Sequence, residues 1–182
     1  MHPDLHEFFA DIAAPLGGYY AVAAAMNVAA AWRAFRGEGR GAVRGAVWLA
    51  FGLLFALGGF LAWSGRPLGL PETVKAAIDA ALGPVTLFFG SLAGLTVLFV
   101  GRRFFVKNWM AWGILNAALV FLGLSLADRN FAQVVLKADN VPIVAMVFLL
   151  GFFTWLGAAQ AVENDRRIEH GQDPIEKEYA DK

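Results

Sequence analysis

Val141 to Val162 is a run of 22 residues without one ionisable side chain. Asp139 and Asn140 precede it, and Glu163, Asp165, Arg166 and Arg167 follow at once. A helix rises about 1.5 Å per residue, so about 20 such residues cross a hydrocarbon core of roughly 30 Å. Lipid supplies no hydrogen bonds to the backbone, and a helix satisfies its own. Four further stretches repeat the pattern, at about 15–32, 45–63, 81–100 and 109–127. The expectation is an all-α integral membrane protein, a five-transmembrane-helix bundle with 141–162 as its last span.

Composition agrees: of 182 residues, 58% are hydrophobic and 16% charged, where soluble domains carry about 25% charged residues. Five spans and their loops fill the length, so 1–182 reads as a single membrane domain ending in a charged tail over 163–182. Formal net charge is zero, which gives no support for nucleic acid as a partner. The chain has no cysteine. That excludes disulfides, thiolate metal sites, iron–sulfur clusters and cysteine nucleophiles.

The first 14 residues carry Asp4, Glu7 and Asp11 and no Lys or Arg, unlike a secretory signal. Leu5, Phe8, Phe9 and Ile12 share one helical face. This predicts a short interfacial helix over 2–13, or one that docks on a partner. His2 and His6 stand at i, i+4, a spacing able to hold a metal. With no third ligand in view, no metal site is expected. In the first span, Ala21, Ala25 and Ala29 offer a small-residue face for a neighbouring helix. Gly90 and Gly94 do the same in the third. A second interfacial helix is expected over 71–82, with Val74, Ala77, Ile78, Ala81 and Leu82 on one stripe and Glu72, Lys75 and Asp79 opposite. The tail from Glu163 reads as a solvated helix that frays.

Orientation follows from Lys and Arg near the spans. The loops at 33–44 and 101–108 and the start of the tail hold nine, against four on the other side. The N-terminus is therefore expected outside and the C-terminus in the cytoplasm. Ala, Gly and Arg richness suggests a bacterial inner membrane.

No Asp, Glu, Lys, Arg or His lies within the five spans. Such residues mark proton relays, ion-coupled transport and voltage sensing, and a haem held by buried histidines needs them too. The polar residues present are Asn27, Thr86, Ser91, Thr96, Asn116, Ser125, Thr154 and Gln160. They build no catalytic set. An amide in hydrocarbon needs a partner, so Asn27 and Asn116 are expected to make interhelical polar contacts. Arg33, Arg36, Arg102, Arg103 and Lys107, set among aromatic residues, are candidates for anionic lipid headgroups. Asp128 and Asp139, in the last outer loop, are the only carboxylates worth testing for catalysis.

Residues 137–177 carry a DNVPI lead at Asp139 to Ile143, FFTW at Phe152 to Trp155, and an AVENDRR exit at Ala161 to Arg167. This segment resembles the final span and tail of small membrane subunits that accompany bacterial quinol–cytochrome respiratory complexes. The resemblance implies a non-catalytic accessory subunit of an electron-transport complex. Its partners would be lipid and cytochrome-bearing subunits. It would bind no cofactor alone, with a quinone or lipid at a subunit interface. It carries no catalytic motif. The other reading is a stand-alone small-solute or lipid permease, with Asn27, Ser91, Asn116 and Thr154 lining a lumen.

Overall fold

The computed structural model describes residues 3–37 and 39–180, with side chains described for 7–37 and 39–177. Among these residues every regular element is a helix. They are α1 (Pro3–Phe35), α2 (Gly41–Trp63), α3 (Glu72–Ala81), α4 (Pro84–Val100), α5 (Arg102–Phe105), α6 (Asn108–Ser125), α7 (Arg129–Val135), α8 (Val141–Glu169) and α9 (Ile175–Ala180). Four stretches are long and apolar enough to cross a membrane: Glu7–Phe35, Gly41–Trp63, Asn108–Ser125 and Val141–Glu169. The count reaches five if α3 and α4, bent by 85° at their junction, form one broken span.

Gly83–Pro84 in the sequence already marks a helix break there, and the junction moves the start of the expected span over 81–100 to Pro84. Gly83 is extended, with φ −71° and ψ 163°, and Pro84 opens α4 at a position where its missing N–H is harmless. Ala81 therefore closes α3, and α4 keeps 17 residues, a rise of about 25 Å. A separate short helix does form over Glu72–Ala81, close to the expected 71–82.

The chain divides into two compact units. One comprises Met1–Lys75 and Ile114–Asn140, the other Ala76–Gly113 and Val141–Lys182.

In the first unit α1 and α2 form an antiparallel hairpin in contact along their length. The buried positions of α2 include Gly45, Gly52 and Gly59, and also Trp48, Phe55 and Ala62. Each set recurs every seven residues, the spacing that keeps one seam on a neighbouring helix. The glycines let the backbones approach. A Cβ on Gly52 would stand 3.2 Å from Val28 Cγ2, and one on Gly59 3.4 Å from Tyr20 Cβ. Opposite them α1 buries Ile12, Leu16, Tyr20, Ala23, Asn27 and Ala31.

This seam explains two departures from expectation. The lead is not a separate surface helix over 2–13, because α1 runs unbroken from Pro3 to Phe35 with Pro15 inside it. Pro15 forfeits one backbone bond, but Ile12 lies four residues before Leu16 on the same face. Both sit in the core with Tyr20, Phe55 and Leu126, and Phe8 and Phe9 pack against them. Ala21, Ala25 and Ala29 are exposed, since the packed stripe of α1 lies elsewhere.

In the second unit α8 packs on α5, yet neither α4 nor α8 has a buried residue. Beyond Val162 α8 continues without a break to Glu169. It stops at Gly171, where φ is +71°, with Gln172 N–H donating to the Arg167 carbonyl at 2.8 Å. The expected fraying is replaced by a return. Ile175 N–H donates to Asn164 Oδ1 at 3.0 Å, and Asn164 Nδ2 donates to the Glu176 carboxylate at 2.9 Å. The second helix α9 is thereby pinned beside the first.

Candidate functional site

The best-defined polar site lies in the first unit. Asn27 Nδ2 donates to Asn116 Oδ1 at 2.6 Å and also to the Ala23 carbonyl at 3.0 Å. Asn27 is 1% exposed and Asn116 0%. Alanines surround Asn27 on α1, so α6 can approach close enough for two short amides to meet. About two turns away Tyr19 donates its hydroxyl to the Leu119 carbonyl at 2.6 Å. Tyr20 fills the space between helices. Its ring sits 6.2 Å from that of Phe55, and a Cβ on Gly123 would fall 2.7 Å from it. Gly17 is likewise covered by the indole of Trp63.

Chemically this arrangement holds α1, α2 and α6 in register. Neither amide titrates near neutral pH, so the pair carries no proton. Interhelical hydrogen bonds of this kind contribute about 0.6 kcal/mol in membranes, up to about 1.7. Two of the span hydroxyls bond within their own helix. Ser91 Oγ donates to the Leu87 carbonyl at 2.6 Å, and Thr96 Oγ1 to that of Leu92 at 2.9 Å. A shallow groove along α4, lined by Leu87, Phe88, Ser91, Leu92 and Leu95, is otherwise apolar. A Cβ on Gly90 or Gly94 of that helix would meet nothing within 4 Å among the described residues.

The five basic candidates fall into two groups. Arg102 donates to Asp165 at 2.7 Å and Arg103 to Glu169 at 2.5 Å, both acceptors on α8. Lys107 Nζ lies 5.2 Å over the Phe104 ring, and Trp155 Nε1 donates to the Val106 carbonyl at 3.3 Å. The two α5 arginines are thus paired with carboxylates of α8. The bond from Arg103 to Glu169 raises the guanidinium's pKa further above its ordinary value. A second pair, Arg166 with Glu163 at 2.6 Å, holds the Glu163 carboxyl below the usual range. Arg33 and Arg36 are different: both are exposed, and Arg36 stacks 4.3 Å from the Trp32 ring centre.

Asp128 is a structural carboxylate. Its Oδ1 accepts from the Asn130 and Phe131 backbone N–H groups and caps α7, while Oδ2 accepts from Lys75 Nζ at 2.8 Å. Those bonds, Lys75 first, hold its carboxyl below the usual range, and Lys75 is pushed up in turn. Lys75 also donates to Glu72 at 2.9 Å. His2 and the side chain of His6 lie outside the described residues. Among the described residues no group of three His, Asp or Glu side chains could hold a metal.

Sequence reasoning missed the glycine seam of α2, the wedge of Tyr20, and Asp165 and Glu169 as partners of the α5 arginines. The seven-residue recurrence of Gly45, Gly52 and Gly59 was a readable signal. The ion pairs join residues more than 60 positions apart and had none.

Fold and site together define a multi-pass α-helical membrane protein. Comparison with protein-family models, curated proteins and solved structures finds no match.

Proposed function

We propose that this chain is a non-catalytic accessory subunit of an electron-transport complex in a bacterial inner membrane. It would cross the bilayer five times, with the N-terminus outside and the C-terminus in the cytoplasm. One observation carries the reading: 15–32, 45–63, 84–100, 109–127 and 141–162 contain no Asp, Glu, Lys, Arg or His. The buried polar contact between α1 and α6 joins two neutral amides. Such a bundle supplies shape and surface, and electron or proton transfer falls to partners.

Two features support the role. The resemblance of residues 137–177 to subunits of quinol–cytochrome complexes points to a haem-bearing partner. That same segment includes α8, on which Leu149, Leu150, Phe152 and Phe153 are exposed. Phe152, Phe153, Leu149 and Leu150 suit either lipid tails or a neighbouring span, and a quinone or lipid could sit at that boundary.

The test is purification from native membranes in a mild detergent. A cytochrome difference spectrum that follows the chain through affinity and sizing steps is expected. Migration alone, with no haem absorbance, contradicts the proposal.

A further inference from the structure

The two arginine clusters differ in one respect that bears on ligand binding. Those of α5 are already engaged by carboxylates. Arg33, Arg36, Arg40 and Arg44 are all exposed, and no ion pair joins any of them to a carboxylate among the described residues. They flank the short connection between α1 and α2.

The helix ends on either side of residue 38, which lies outside the described residues, are packed on each other. Phe35 lies over Gly45 so closely that a Cβ there would stand 2.6 Å from its ring. Gly41 is seated against the Ala34 carbonyl in the same way. Backbone bonds from Arg36 N–H to Trp32 and from Gly37 N–H to Ala34, at 3.3 and 3.0 Å, close the last turn of α1. Arg33 and Arg36 therefore project from the end of one helix, and Arg40 and Arg44 from the start of its neighbour. The backbone that carries them requires little ordering when a ligand arrives. Trp32, 59% exposed, and Phe35, 48% exposed, stand at the same end. Aromatic residues of this kind settle at headgroup depth, and the Arg36 guanidinium lies against the indole.

We propose that the α1–α2 turn is a binding site for the phosphate of an anionic phospholipid headgroup. Four guanidiniums offer paired donors to phosphate oxygens. The exposed aromatic residues set them at the depth where that phosphate lies. The site excludes the α5 arginines. It is independent of which complex the chain serves.

The test uses the full chain purified in a neutral detergent, with retained lipid read by native mass spectrometry. Phosphatidylglycerol and phosphatidylcholine are offered together, and inorganic phosphate is titrated separately. The wild type should retain phosphatidylglycerol over phosphatidylcholine. R33Q/R36Q/R40Q/R44Q should lose that preference by about tenfold or more, the scale expected when several basic residues leave an anionic surface. R102Q/R103Q should keep the preference while melting at a lower temperature. If the quadruple variant fails to fold, R40Q/R44Q, altered only in the exposed first turns around α2, should show a partial loss. Retention by the variants equal to wild type overturns the proposal. So does an equal loss in R102Q/R103Q. Displacement of the lipid by inorganic phosphate at matching concentration would assign the turn to free anions and overturn the lipid assignment.

Discussion

At the residue scale the amide pair is the contact most open to a quantitative test. Asn116→Leu removes the Oδ1 acceptor of Asn27 Nδ2, and Asn27→Leu removes the Nδ2 donor to Asn116 Oδ1. Each is expected to cost about 1 kcal/mol, and the double variant less than the sum, by about 0.6 to 1.7 kcal/mol. Thermal melts in detergent on all four proteins read this cycle, and strict additivity would remove the coupling. Asp128 gives a pH signature. Its folded pKa is depressed, so its contribution is present above the unfolded value of about 3.9 and lost as pH falls through the lower folded value. Lys75 is raised, so its contribution is full below about 10.4 and lost only as pH climbs past the folded value. Asp128→Asn keeps a side chain able to cap α7 and removes the ion pair. Its melting deficit should be constant from about pH 5 to 9 and shrink in stronger acid. A deficit independent of pH down to full protonation would show that the ion pair does nothing. Both amides stood out in the sequence as polar residues in apolar runs, although nothing there joined one to the other. That pairing depends on which helices adjoin, a long-range fact. The partners of Arg102 and Arg103 were hidden for the same reason.

At the scale of elements the glycine seam of α2 decides how the hairpin packs. Gly52→Leu would drive a branched side chain into Val28 and the Ala24 carbonyl, which lie 3.2 and 3.5 Å from the position of a Cβ. Overpacking of this kind costs about 1–3 kcal/mol. At Gly94 on α4 a Cβ would meet nothing within 4 Å among the described residues, so Gly94→Leu should melt as wild type in isolation. A larger loss at Gly94 than at Gly52 would mean that the tight crossing belongs to α4. The apolar runs and their polar flanks made the helices legible, because hydropathy and breakers act locally. The seam was less so. Small residues abound in this chain, and Ala21, Ala25 and Ala29 offered a stripe as plausible as the buried one. Tyr20 decided the matter, since a ring that large fixes which face must be covered. The phase shared by Phe8, Ile12 and Leu16 carried α1 through Pro15, where a proline at the expected start of a span suggested a boundary.

At the scale of the whole molecule four to five helices are long and apolar enough to cross a membrane, and the proposed arrangement takes five crossings, with 84–100 as the third. The sequence made the apolar segments plain. It did not reveal that α3 and α4 meet at 85°, since Gly83–Pro84 announces a break without giving its angle. The chain contains no cysteine, so single cysteines can be introduced and mapped with a membrane-impermeant maleimide on intact and opened vesicles. Gly37→Cys, Lys107→Cys and Gln172→Cys should label from one face, and Ser64→Cys and Lys137→Cys from the other. Labelling of Lys107→Cys from the same face as Ser64→Cys would make α4 a re-entrant segment and contradict the five-crossing arrangement.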